Sequence, residues 1–262
     1  MPLALGAALI AILAAAAYAL GIIALSGAIA GAAVSFTILA CAGLPGFIVL
    51  LFFYPASTYA SHATAALICD NRKGKYTLHA LHPSAFAGIR RDGWQVLANA
   101  GVPALLAVAH SLSIGALPLQ VNGWSLAVTP SPYLTALTAA LAFAASDTAS
   151  HEIGQAMAGR TIHPLTRRLV PPGTTGAVSL GGSFAALIDI GIIVGMATAF
   201  GVLADPSQVG AALSGAVAGN IADTLIGASV ESRSLKWGNN ATNFAASVIA
   251  AATAVVLAAL LS

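Results

Sequence analysis

The chain has 262 residues, 58% of them hydrophobic and only 7% charged, with a formal net charge of +2. A soluble domain carries roughly 25% charged residues, so this composition excludes a globule with a wetted surface. Apolar runs of bilayer-crossing length recur along the chain, which also excludes the short alternating segments of a membrane β-barrel.

An all-α polytopic transmembrane helical bundle is therefore predicted, as a single integral membrane domain over 1–262. Spans are expected at 2–24, 26–42, 46–68, 93–114, 131–150, 176–203, 208–230 and 241–261. The first run, "PLALGAALIAILAAAAYALGIIAL", lacks the basic leader of a secretory signal and reads as a span. The break between the second and third spans rests on "GLPG" at 43–46, where Gly and Pro permit a turn. If 26–68 form one broken helix instead, about eight spans become seven. Cys41 and Cys69 are the only cysteines and read as packing residues.

Basic residues sort the loops. Arg72, Lys73, Lys75, Arg90 and Arg91 precede the fourth span; Arg160, Arg167 and Arg168 follow the fifth; Arg233 and Lys236 follow the seventh. The loops at 115–130 and 204–207 hold no Lys or Arg. All the basic residues thus fall in alternate loops, and the positive-inside rule makes their side cytoplasmic.

The fourth span opens with "RRDGWQVLANAGVP". Arg90 and Arg91 can grip a phosphate or anchor the helix at headgroups, and Gln95 and Asn99 share one face at i, i+4. The fifth span ends in "SDTASHEIG". Here Asp147, Thr148, His151 and Glu152 stand at the end of an uncharged apolar run. Asp147 and Glu152 are about 140° apart on an ideal helix, so they converge on one ligand only if the helix loosens or each reaches a different ion. His151 is a poor ligand for a hard cation and fits an outer hydrogen-bonding or phosphate-contacting role better.

Between the fifth and sixth spans lies "VPPGTTGAVSLGGS". Gly173 and Gly176 free the backbone, Thr174, Thr175 and Ser179 supply hydroxyls, and a helix starts next. A Gly-rich turn feeding a helix N-terminus suits an anion, although no Walker A pattern is present. Asp189 falls mid-span in the sixth helix without a local partner. In the seventh span Asn220, Asp223, Thr224, Gly227 and Glu231 form one helical face, extended by Gly215 and Gly219. A polar stripe within a membrane faces the bundle interior or a wet cavity. "IADTLIGASVE" here also echoes "ASDTASHEIG" in the fifth span. The eighth span opens with "WGNNATNF", which adds Asn239, Asn240 and Asn243 at the same membrane level.

Four acids without basic partners on their own helices repel one another if they share a pocket. Mg²⁺ would relieve this, since it favours a few carboxylates with water and phosphate oxygens. No HExxH, GxSxG or cysteine cluster supports zinc chemistry or serine hydrolysis. Acids for a metal, a turn for phosphate and a greasy bundle beneath suggest an enzyme acting on a phosphorylated lipid. Nothing points to nucleic acid.

The motifs "SGAIAGA", "QVLANAGV", "SDTASHEIG", "PPGTTGAVSLGG", "ADTLIGA" and "NNATN", in this order, resemble those of the transmembrane protein 19 family, which includes phytyl-phosphate kinases. The resemblance implies phosphoryl transfer from a nucleoside triphosphate, CTP being expected, to an isoprenoid monophosphate such as phytyl phosphate. By position it carries over Asp147, Thr148 and Glu152, the loop residues Gly173, Thr174 and Gly176, Asp223, and Asn239, Asn240 and Asn243. Ser150-His151 stands where the family usually has Ala-Ser, and Gly176-Ala177 where it has Gly-Gly. On this reading Asp147, Glu152 and Asp223 hold Mg²⁺, and Arg90, Arg91 or Asn240 hold the lipid phosphate. Two rival expectations are a transporter of an ion or anionic solute through paired broken helices, and a cytidylyltransferase that forms a CDP-lipid.

Overall fold

The computed structural model describes residues 2–71, 90–115, 128–156, 160–233 and 237–261. Arg72, Lys73, Lys75, His79, His82 and Lys236 lie outside them, as do the side chains of His62 and Cys69. Helices α1 (Pro2–Ala19), α2 (Leu25–Asn71), α3 (Gly93–Ser113), α4 (Pro132–Ala156), α5 (Leu180–Ala199), α6 (Pro206–Ser229) and α7 (Asn239–Leu261) make up the bundle. By length and composition, five described helices can cross a membrane: the Leu25–Phe53 part of α2, and α3, α5, α6 and α7. The protein is an all-α polytopic membrane protein.

The break expected between 26–42 and 46–68 is present: the backbone leaves helical geometry at Gly43 (φ 69°, ψ −172°), so α2 is two helical segments joined at a sharp kink within "GLPG". Glycine tolerates this conformation, and Pro45 then falls in the first turn after the break, where its missing N–H costs little. Cys41 is buried beside the kink.

α4 is the central helix. It packs on α2, α3, α5, α6 and α7, and its residues Leu134, Leu137, Leu141 and Phe143 are fully buried. Its apolar sequence follows from this position: every face meets another helix. Thr135 and Thr138 sit in this dry setting because their hydroxyls bond back to Ser131 O (3.3 Å) and Leu134 O (2.9 Å).

α6 approaches α4 and α7 closely through glycines. A side-chain carbon at Gly219 would lie 2.9 Å from the Phe143 ring, and one at Gly215 would lie 2.6 Å from Ala250 O. The small residues thus admit close packing without any hydrophobic drive between helices in lipid.

The sixth predicted span starts later than 176. Ser179 caps α5 by accepting the Gly182 N–H at 3.1 Å. The preceding segment, expected to be loop, contains a small antiparallel sheet: β1 (Thr161–Ile162) between β2 (Leu169–Val170) and β3 (Val178–Ser179). At the same end the α1–α2 turn meets the entry to α3. Ala24 N–H donates to Arg91 O at 3.0 Å, and Gly93 N–H to Ser26 Oγ at 3.2 Å. This end also carries Arg90, Arg91, Arg160, Arg167, Arg168 and Arg233.

Candidate active site

Where the C-terminal ends of α4 and α6 meet the N-terminal ends of α3, α5 and α7, a cavity of about 800 Å³ opens. Asp147, Thr148, His151 and Glu152 enter it from α4; Asn220, Asp223 and Thr224 from α6; Gln95 and Asn99 from α3; Asn239 and Asn243 from α7. Arg91, Glu231 and the loop residues Gly173, Thr174, Thr175, Gly176 and Ser179 complete the polar wall. Of the residues singled out by sequence, Arg90 and Asn240 do not line it. Arg90 precedes α3 in non-helical backbone next to Arg91, which does line the cavity, and Asn240 is a helix step of about 100° from Asn239, which also does.

Asp147 and Asp223 bring their carboxyl groups within hydrogen-bonding reach of each other. The two echoing Asp-Thr pairs thus face a common space from separate helices. Asn243 Nδ2 donates to Asn99 Oδ1 at 3.0 Å and, more loosely, to Asp147 Oδ2 at 3.4 Å. Asn220 Nδ2 donates to Ser146 Oγ at 2.6 Å, which ties the two acidic helices beside their acids. Asp223 Oδ1 and Asn243 Oδ1 are buried without a hydrogen-bond partner. Unpaired buried oxygens are costly, and here they are acceptors beside a polar cavity.

The four acids share the cavity but not one point. Glu231 Oε2 accepts the Thr242 hydroxyl at 2.6 Å, and Trp237 Nε1 donates to that hydroxyl at 3.1 Å. Glu152 also lines the cavity. Among the described residues no three His, Cys, Asp or Glu side chains converge as a metal-binding group. The Asp147–Asp223 pair is the arrangement that fits a hard cation, because Mg²⁺ takes one or two carboxylates and fills the rest of its shell with water and phosphate oxygens. The Arg91 guanidinium brings compensating charge within electrostatic reach of Asp147.

The Gly-rich loop is positioned by contact with α6. Gly173 and Gly176 both have positive φ, 87° and 70°. A side-chain carbon at Gly176 would collide with the backbone of Gly227 and Ala228. Thr174 closes the turn on Pro171 O through both its N–H (3.2 Å) and its hydroxyl (2.7 Å). Thr175 is left as the loop hydroxyl with no such local role. On the other side α5 crosses α4 at a pair of glycines: a carbon at Gly182 would lie 2.7 Å from Ser150 O and 3.4 Å from Gly154 Cα.

Sequence reasoning missed Ser146, Ser150, Thr161 and Ser183. Ser146 bonds the α6 stripe, and the other three line the cavity. Ser183 was legible, being i+4 from Ser179 on a helix that starts there. Thr161 depends on β1, which no periodicity announces. Asp189 is half-buried in α5 with Oδ2 unpartnered, and it does not line the cavity.

The profile of the family described as integral membrane protein DUF92 matches residues 8–251. Protein VTE6, chloroplastic, of Arabidopsis thaliana is 35% identical over 96 residues, which is 36% of this chain and 28% of that protein. The match therefore spans under a third of the relative's length. No solved structure matches the chain.

Proposed function

We propose, on the premise that the chain belongs to the integral membrane protein DUF92 family, that it is a phosphotransferase, carrying a phosphoryl group from a nucleoside triphosphate to an isoprenoid monophosphate. CTP is the expected donor and phytyl phosphate a fitting acceptor, both from the motif resemblance. The observation that carries the reading is the facing pair Asp147–Asp223 inside one cavity with a Gly-rich loop, an arginine and an apolar deep end.

Phosphoryl transfer needs positioning and charge neutralisation more than covalent chemistry. An oxygen of the acceptor monophosphate attacks the terminal phosphorus of the donor. The bond from that phosphorus to the bridging oxygen breaks, and the nucleoside diphosphate leaves. The attacking oxygen is already anionic, so no side chain has to remove a proton. Arg91 would hold the acceptor phosphate, Thr175 and the loop backbone the donor phosphates, and Asn243 would orient Asp147. Asp147 and Asp223 would hold Mg²⁺. Such a cation, when bound, screens the triphosphate charge. The positive-inside pattern supports a cytoplasmic face for this chemistry.

The transporter reading has less support, since the polar groups gather at one end of the bundle rather than at mid-membrane. The test is purified protein in lipid nanodiscs with labelled CTP and a panel of prenyl monophosphates, following both products. Release of CDP with a prenyl diphosphate supports the proposal. Release of pyrophosphate with a CDP-lipid means a cytidylyltransferase, and no turnover with any donor would falsify the kinase reading.

A further inference from the structure

The cavity does not end at its acids. Toward the bundle interior its lining changes to Ala186, Leu187 and Ile190 from α5 and Val217 and Ile221 from α6. Among the described residues, none of α4 before Asp147 and none of α2 takes part in this deeper wall. It is a slot between two helices only. On α5 the lining passes from Ser183 to Ile190, and on α6 from Thr224 to Val217. Each polar-to-apolar run covers about 10 Å of helix.

Two further observations say what borders the slot. α5 and α6 follow one another through a short turn, yet they touch each other far less than α5 touches α4 or α6 touches α7. Leu187 and Ile221, which line the slot from its two helices, are 55% and 56% exposed although they line a cavity. They border open space, and apolar side chains exposed on two membrane-crossing helices suit lipid rather than water. The slot is therefore open sideways.

From this geometry we propose that the α5–α6 slot is a lateral port, which receives the hydrocarbon chain of a phosphorylated lipid from the bilayer and seats it while the phosphate reaches the acidic end. The occupant follows from continuity: one cavity has a polar end furnished for phosphate and an apolar end open to lipid, which matches a single-chain amphiphile. A water-soluble phosphate would leave the apolar half unused. A two-chain phospholipid would need a second deep groove, and among the described residues the deep lining comes from α5 and α6 alone. The inference rests on the proposal that the polar end binds a lipid phosphate, and it adds the route and the tail site.

The test uses the full chain in nanodiscs and two substitutions that fill the slot from opposite sides, Leu187→Trp and Ile221→Trp. Both positions have room for a larger side chain, so folding is expected to survive, and two sites guard against one failing. Labelling with a diterpenoid monophosphate that carries a diazirine at its chain end should mark Leu187, Ile190, Val217 or Ile221, and either Trp variant should abolish that mark. In parallel, the ratio of kcat/KM for phytyl monophosphate to that for dimethylallyl monophosphate should fall by about tenfold or more in each variant. Photolabel on α1, α2 or α7 instead, or labelling unchanged in both variants, overturns the port. If wild-type protein labels in the slot but turns over neither monophosphate, the port stands and the kinase reading falls.

Discussion

Asp147 on α4 and Asp223 on α6 face each other across the candidate site, their carboxyl groups within hydrogen-bonding reach. Two carboxylates in this position repel unless a proton or a cation lies between them. A structural role is satisfied by the proton and a catalytic one needs the cation. Asp147→Asn and Asp223→Asn separate the two. The amide keeps the size and can donate to the opposite carboxylate, so the thermal midpoint in chelator should hold or rise. Nucleotide-dependent turnover should drop by at least about a hundredfold. A variant that unfolds, or one that turns over near the wild-type rate, would assign the pair to architecture.

Cation and nucleotide should bind as a unit. Mg²⁺ is expected to tighten binding of a non-hydrolysable CTP analogue by about tenfold or more, read by calorimetry with and without chelator. Asp147→Asn and Asp223→Asn should each remove that coupling. Glu152→Gln should keep most of it, since Glu152 lines the cavity without joining a three-ligand cluster. Equal loss in all three variants would support the three-carboxylate site expected from sequence.

Much of this site was legible because it is helical. Asn220, Asp223 and Thr224 read as one face from spacing alone, and their side chains do share the cavity. Spacing also held the means to reject Asn240, which is a step away from the i, i+4 pair Asn239 and Asn243. What stayed hidden depends on contacts distant in sequence. β1 is only two residues, defined by pairing with Val170 and Ser179, so no local pattern marks it. The meeting of Asp147 with Asp223 required α4 and α6 to be neighbours, which hydropathy does not state. "GLPG" reads as a stop because Gly and Pro end helices on average. Here Gly43 makes the break and Pro45 opens the second segment of α2.

The α1–α2 turn and the entry to α3 are hydrogen-bonded together, so α1 should end on the face that carries the basic segments. Single cysteines at Ile23, Arg90 and Arg167 should all resist a membrane-impermeant maleimide added to intact cells, and all react once the membrane is permeabilised. Ser113, at the opposite end of α3, should react from outside. Labelling of Ile23 alone from outside would place α1 the other way round and contradict the observed turn.

The loop that touches α6 offers a test remote from any charge. Gly176 has φ 70°, and a side chain there would strike the backbone of Gly227 and Ala228, one turn beyond Asp223. Gly176→Ala must strain the backbone or lift the loop from the helix, at a cost of about 1–3 kcal/mol. If the loop only connects α4 to α5, the protein loses that stability and keeps its nucleotide affinity. If the loop cradles donor phosphates, KM for the nucleotide rises by more than the stability loss explains, while affinity for the prenyl phosphate changes little. Gly191→Ala is the control, because a side chain at Gly191 meets nothing within 4 Å; both properties should match wild type. A Gly176→Ala protein with wild-type nucleotide KM would remove the loop from the donor site and leave the donor to the cation held by Asp147 and Asp223.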